Sequence, residues 1–531
     1  METTSNSLQT LIDSLNFLLP WRWIDAANNQ SRLLFTVFFA GLLIFVYTKV
    51  TRRRVPLPPG PPGVPLLGNL PFLDPELHTY FRDLGQKYGP IVKLQLGNKV
   101  GIVVNSPSVA REILKDHDVT FANRDVPQAG RAATYGGSNI VWNPYGSEWR
   151  MLRKVCVVKM LSNATLESVY DLRRREVRNT VANLYGRGGS AVNVGEQSFL
   201  TIFNVVTSML WGGIMEGDQR DSLAAEFRET VSDLTELLGK PNVSDFFPSL
   251  ARFDLQGIEK KMRKLALKFD TIFENMINQR LKIVGGEDSE SAQNNDFLQF
   301  LLEVKDAGDS KTPLTITHLK ALLMDMVIGG TDTSSNTIEF ALAEMINNPA
   351  TLKKAQEEVA AVVGEDNMVE ESHIHSLPYL KAVMKETLRL HPILPLLVPH
   401  SPSETTIISK YTIPKGSRVF INVWAIQRDP NHWENPLVFD PERFLNNQKW
   451  DFGGSDFRYF PFGSGRRNCA GIAMAERTFM YLLATLLHSF DWKLEEGEKL
   501  EIEEKFGIVL KMKTPLVLIP TPRLSDPTLY H

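Results

Sequence analysis

The stretch Phe462–Gly471, FGSGRRNCAG, decides how the rest of the chain is read. Three of its residues are glycines, two are arginines, and one is Cys469. Gly463, Gly465 and Gly471 carry no Cβ, so the backbone can turn sharply and lie close against a flat group. Arg466 and Arg467 are expected to lower the thiol pKa and to pair with carboxylates. Phe460 and Phe462 are expected to keep water away. A thiolate in this setting is a candidate nucleophile or metal ligand.

Only one other cysteine occurs in 531 residues: Cys156, in the apolar run RKVCVVKML, where a buried structural thiol is expected. Two cysteines are too few for a disulfide scaffold and do not form a CxxC pair. No second Cys or His stands at chelate spacing from Cys469, which disfavours zinc. A single axial thiolate to haem iron needs no further protein ligand in the same loop.

Composition is that of a globular chain, with 43% hydrophobic and 22% charged residues. The net charge of −3 provides no global basic field, so no nucleic-acid partner is expected. The paucity of cysteine fits a reducing compartment. Residues Leu33–Thr48, LLFTVFFAGLLIFVYT, carry no charge. At about 1.5 Å per residue they fall slightly short of a bilayer core of about 30 Å, and Arg32 and Lys49 can snorkel to extend them. Lys49 and Arg52–Arg54 follow on one side, as expected of a cytosolic flank. Three segments are therefore expected: 1–54 with a single membrane anchor at about 33–48, a stiff proline-rich hinge at 55–65 (PLPPGPPGVP), and a body at 66–531.

The body opens with a hairpin pattern, PIVKLQL, Gly97-Asn98, KVGIVVN. Helical periodicity dominates from Ser108 to about Asn348, with DVPQAGRAATYGG and GGEDSESAQNND read as loops. Strand-like stretches TTIISKYTI and RVFINVW follow Pro392, and GIAMAERTFMYLLATLLHSF predicts a late helix. The fold class is mainly α with small β-sheets.

Four further constellations stand out. In Leu322–Asn348, LLMDMVIGGTDTSSNTIEFALAEMINN, helical register continues across Gly329-Gly330. Each glycine costs about 1 kcal/mol against alanine in a helix interior, so either a close ligand or a tight helix crossing is needed. Asp332 and Thr333 then supply an acid and an alcohol. KETLRLHP places Glu386 and Arg389 on one helix face. FDPERFLN contains Arg443, and SEWRMLRKV puts Trp149 and Arg153 one turn apart.

Taken in order, these motifs resemble the cytochrome P450 family of haem-thiolate monooxygenases along essentially the whole chain. Phe462, Gly465, Arg467, Cys469 and Gly471 meet its FxxGxRxCxG loop, and Gly329 to Ser334 meet its GGxDTS helix motif. Glu386 and Arg389 meet ExxR, Arg443 meets PERF, and Trp149 and Arg153 meet WxxxR. FANRDVP, MLWGG and LGKPNVSDFFPSLARFDLQGIEK are similar to a plant group that includes a cotton cadinene (sesquiterpene) hydroxylase and has flavonoid hydroxylases among its relatives.

The resemblance implies a triangular helical body with haem between the long oxygen-side helix and the Cys loop. It makes Cys469 the axial iron ligand, with Phe462, Gly463, Gly465, Gly471, Gly329 and Gly330 lining the cofactor. Arg467, Arg153 and Trp149 would hold the haem propionates. His400 stands where many plant members carry arginine, and its charge would depend on pH. Asp332 and Thr333 would carry protons during oxygen activation, while Glu386, Arg389 and Arg443 would form a structural network. Met324, Ile328, Gly329, Ile393, Leu397, Val398, Ile508 and Val509 would line the substrate pocket. The implied partners are O2, a small apolar substrate, an NADPH-cytochrome reductase docking near Arg150, Lys154, Arg458 and Arg466, and the endoplasmic reticulum membrane. The implied activity is hydroxylation of a plant specialised metabolite, a terpenoid ahead of a flavonoid. A reductase-independent isomerase or dehydratase and a non-catalytic membrane haem protein are the other classes.

Overall fold

The computed structural model describes residues 56–212, 218–284, 296–307, 312–445 and 450–531. The expected anchor at 33–48, its basic flank and nearly all of GGEDSESAQNND lie outside the described residues. No helix among the described residues is long and apolar enough to cross a membrane. Residues Pro58–His531 form a compact unit in which helices dominate and small sheets sit between them.

The proline-rich segment is stitched to this body. The Pro59 carbonyl accepts from Lys93 N at 2.8 Å, and Asn69 Nδ2 donates to the Pro62 carbonyl at 3.1 Å. A methyl group at Gly60 would collide with the Lys93 carbonyl, so this glycine serves a close backbone approach. Only part of the expected hinge is therefore free of such contacts.

The largest sheet comprises β1 (Ile91–Leu96), β2 (Lys99–Val104), β3 (Asn123–Arg124), β4 (His400–Ser401) and β5 (Arg418–Ile421), in the order β1-β2-β5-β4-β3. The expected hairpin is present: Leu96 pairs with Lys99 across a tight turn, with Gly97 at φ +57°. At the far edge Arg124 of β3 lies opposite His400 of β4, a pairing between chain segments remote in sequence.

Seven helices matter for the site: α1 (Gln128–Ala133), α2 (Ser147–Lys154), α3 (Val194–Trp211), α4 (Asp218–Gly239), α5 (Ile316–Asn347), α6 (Pro378–Leu390) and α7 (Ile472–Ser489). The run read as a loop from Asp125 contains α1, whose Gly130 is wedged against Pro127 and Trp142. Tertiary packing there overrides weak local propensity. Helix α5 starts earlier than the motif, where the Thr315 hydroxyl accepts from His318 N and His318 Nδ1 accepts from Thr315 N. It runs unbroken through both glycines for about 48 Å. Its residues are buried on nearly all sides, as expected of a helix threading the core. Val423 and Trp424, the end of the strand-like stretch RVFINVW, instead open a helical turn, Val423–Ile426, capped by Asn422.

Candidate active site

The Cys469 loop is built on backbone hydrogen bonds. Cys469 N donates to the Phe462 carbonyl at 2.9 Å, and Gly471 N donates to Cys469 Sγ at 3.3 Å before α7 begins. Gly463 and Gly465 have φ of +73° and +70°, the left-handed region that favours glycine. A methyl at Gly465 would lie 2.3 Å from the Leu114 carbonyl, so that glycine admits protein backbone. Phe462 meets Phe452 edge-on at 5.3 Å, and Phe460 is fully buried.

Cys469 is exposed, yet the protein packed around its sulfur is enough for burial to raise its pKa above the ordinary 9.0. The Gly471 N–H and Arg153 pull in the opposite direction. This corrects the expectation for the two loop arginines. Arg466 is bound to Asp118 at 3.0 Å. Arg467 donates to the carbonyls of Ala122, Ile140 and Asn143. Cys156 is buried, as expected, and burial pushes its thiol up to about 12.

Around the loop gathers a cluster of basic side chains held by neutral oxygens. Arg153 donates to the Asn468 carbonyl (2.8 Å) and side chain (2.6 Å), and Arg124 donates to the Val398 carbonyl. Burial and then Arg153 lower Arg467 to about 10; burial and then Arg467 hold Arg124 well below its ordinary value. Guanidinium groups stay cationic at neutral pH, so these shifts measure the cost of gathering them. None of Arg124, Arg153 and Arg467 has a carboxylate partner among the described residues, and Arg124 Nε is buried without a hydrogen-bond partner. His400 Nδ1 bonds the Phe121 carbonyl at 2.9 Å; burial, Arg124 and Arg467 hold its pKa well below 6.5, so it is neutral. Its expected pH-dependent charge is thereby corrected. Trp149 uses its N–H on the Ile140 carbonyl (3.0 Å) and packs its ring under Arg467 at 4.5 Å.

On α5 the paired glycines have separate surroundings. Gly329 is exposed, and no atom lies within 4 Å of a methyl built there; one at Gly330 would meet Val206 of α3 at 3.3 Å. The Thr333 hydroxyl donates to the Gly329 carbonyl at 2.7 Å. Asp332 points elsewhere: Oδ1 pairs with Lys511 Nζ at 3.0 Å, and Oδ2 accepts from Thr235 of α4 at 3.4 Å. Lys511 lies on β7 (Lys511–Met512), which pairs with β6 (Glu504–Lys505).

Glu386 and Arg389 are fully buried and joined twice, at 2.7 and 2.8 Å. Arg443 Nε reaches Glu386 Oε1 at 3.1 Å, and Arg389 also donates to the carbonyls of Gln427, Pro436 and Val438. Of the expected pocket residues, Leu397 and Ile508 line a cavity of about 110 Å³ with Trp142, Leu238, Phe420 and Phe506. Met324, Ile393 and Val509 are buried within the helical core; Ile328 and Val398 are half-buried.

A basic cluster without acids, beside an exposed cysteine, fits a flat anionic cofactor with two carboxylates. The cytochrome P450 family pattern matches residues 58–519. The chain belongs to the cytochrome P450 family. It is 41% identical over 506 residues to a flavonoid 3'-monooxygenase of Arabidopsis thaliana, covering 94% of this chain and 98% of the relative. A geraniol 8-hydroxylase of Catharanthus roseus is 38% identical, covering 92% and 99%. A zebra fish cytochrome P450 solved with progesterone shares the fold at TM-score 0.71 and 22% identity, over 84% of this chain and 99% of that one.

As a plant-type P450, this chain is an oxidoreductase whose cofactor is a thiolate-ligated haem. Sequence reasoning missed Arg124 and Lys511. Arg124 sits in FANRDVP between Asn123 and Asp125, a local setting that reads as a solvated ion pair and gives no signal of the cluster. Lys511 had none, because its pairing to Asp332 is long-range.

Proposed function

We propose that this P450 is a monooxygenase that hydroxylates a small apolar plant specialised metabolite, using O2 and electrons from an NADPH-cytochrome reductase. The observation that carries the proposal is Cys469 standing beside the acid-free cluster of Arg124, Arg153 and Arg467. A bound haem would supply the oxygen activation and C–H oxidation. Cys469 Sγ would hold the iron, and the Gly471 N–H on Sγ would moderate the thiolate's basicity. Arg124, Arg153 and Arg467 would neutralise the propionates, whereas neutral His400 spends its one N–H on the Phe121 carbonyl and would offer them no donor. The glycines Gly463 and Gly471 and Phe462 would shape the proximal side.

Thr333 Oγ1 would pass a proton toward the reacting oxygen, and Asp332 would resupply it. Lys511, whose side chain is 28% exposed, would connect Asp332 to solvent. The apolar lining around Leu397, Phe506 and Ile508 favours a terpenoid substrate. The flavonoid reading draws support from relatives named flavonoid 3'-monooxygenase, one of them at 41% identity. The segment at 33–48 would anchor the chain in the endoplasmic reticulum membrane with the body on the cytosolic side.

The test is a carbon monoxide difference spectrum of the reduced protein. A thiolate-type band is expected, and Cys469→Ala should abolish it; a band surviving that substitution would overturn the proposal. Spectral-shift titration with sesquiterpenes and flavonoids, followed by product analysis with and without reductase, separates the two substrate classes and the isomerase alternative.

A further inference from the structure

Asp325 is an acid that none of the steps above uses. It lies on α5 four residues before Gly329 and eight before Thr333, and so on the same helix face. Burial raises its pKa to about 7, while hydrogen bonds from Ile140 and Asn139 pull it back down. An acid so placed costs stability unless its bonds offset the loss of water.

Both carboxylate oxygens are engaged by the same short loop. Oδ1 accepts from Asn139 Nδ2 at 2.6 Å, and Oδ2 accepts from Ile140 N at 2.9 Å. Asn139 is itself 2% exposed, and its Oδ1 accepts from Trp142 N at 3.0 Å. The other side of Ile140 faces the basic cluster: its carbonyl accepts from Trp149 Nε1 at 3.0 Å and from Arg467 Nη1 at 2.9 Å. Trp142, two residues on, lines the apolar cavity. Residue 140 thus gives its amide to the long helix and its carbonyl to the cation cluster. The two groups flank one Cα, so fixing the amide restrains the φ and ψ that aim the carbonyl, and loosening one end lets the other drift.

We propose that Asp325 is a positioning residue whose carboxylate clamps Asn139 and Ile140, so that one loop holds Trp149 and Arg467 in register and Trp142 in the cavity wall. The proposal rests on the reading of the Cys469 region as the haem site. Nothing but a carboxylate meets the two donors equally. Asparagine has the same shape, but its amide nitrogen would oppose one of the two donors, and leucine removes both bonds.

The experiment uses the full-length, haem-loaded protein. Amide hydrogen exchange is followed at Ile140 and Trp142, and haem transfer to an apoglobin acceptor is timed. In Asp325→Asn, exchange at Ile140 should rise about tenfold or more, as expected for losing a hydrogen bond to a charged group, and haem should transfer faster. Asn139→Ala removes one of the two bonds to Asp325 and should raise exchange at Ile140 by less, while it raises exchange at Trp142 directly because it also takes away the acceptor of that amide. Asp325→Glu, which keeps two acceptors, should recover part of the protection. Unchanged exchange at Ile140, unchanged haem transfer, or a uniform rise in exchange across the sheet and α5 would each overturn the proposal. A thiolate band that survives Cys469→Ala would instead sink the haem reading, and the exchange at Ile140 is scored independently of it.

Discussion

Two clusters of interior charge, one built on α6 and Arg443 and the other around the Cys469 loop, balance themselves in opposite ways. Glu386, Arg389 and Arg443 form a closed account: the acid takes three donors from the two arginines, and further guanidinium donors go to carbonyls. Arg124, Arg153 and Arg467 have only neutral oxygens, and they depress one another's pKa in sequence. The first cluster can stabilise the body by itself. The second carries excess positive charge that, on the proposed reading, the anionic groups of the cofactor would balance.

That contrast can be broken most forcefully at Glu386. Glu386→Ala leaves two arginines without their acid, one of them fully buried, and should cost about 3–5 kcal/mol of unfolding free energy. Chemical denaturation measures this directly, and a loss under about 1 kcal/mol would mean that the pairing is not structural. Arg124→Met should do the reverse to the bare fold. Removing an uncompensated cation should leave denaturation of the haem-free protein unchanged or improved, while haem release quickens about tenfold for a lost charge-assisted bond. Equal losses in both assays would make Arg124 an ordinary structural residue.

Two of the buried histidines, His391 and His400, sharpen the comparison through pH. His391 lies between Glu344 (2.8 Å) and Glu504 (2.7 Å), and although burial opposes it, those acids raise its pKa above 6.5. Its contribution to stability is complete below 6.5 and is lost as pH climbs through the raised folded value. His400, lowered by burial and two arginines, contributes fully above 6.5 and loses its contribution as pH falls below it. His391→Gln should flatten the alkaline side of a stability–pH curve, and His400→Gln the acid side; the opposite assignment would refute the sign of both. The smallest effect concerns the proposed reductase surface. Arg458 and Arg466 already sit on Asp456 and Asp118, whereas Arg150 and Lys154 are exposed without an acid partner among the described residues. Reversing Arg150 and Lys154 together should slow reductase-supported turnover a few-fold at low salt, and reversing Arg458 should do less. Turnover unmoved by the double reversal would remove that surface from consideration.

What could be read from the chain alone follows from range. The Cys469 loop, the Ile91–Val104 hairpin and α5 are specified by neighbours in sequence: glycines at positive φ, an alternating strand pattern, and a continuous apolar helix. The partners of the site are not local. Arg124 meets His400 only because β3 and β4 close the sheet edge, and Lys511 meets Asp332 only after a late hairpin folds back. Charge on the loop arginines was visible; that Arg466 goes to Asp118 and Arg467 to carbonyls was not, so their effect on the thiol was misassigned. Spacing alone puts the ExxR pair on one helix face; the carbonyls of Gln427, Pro436 and Val438 that also accept from Arg389 come from remote segments and have no local signal.

The glycine pair in α5 leaves a practical legacy for redesign. A methyl at Gly330 would press on the Val206 side chain at 3.3 Å, so an added carbon there is accommodated only if that side chain gives by a few tenths of an ångström. Gly329 has room and ordinary helical backbone, so alanine at that position should recover up to about 1 kcal/mol of helix propensity without touching a neighbour. Two adjacent codons thus separate two engineering variables, the packing of one helix against another and the intrinsic stability of the helix itself.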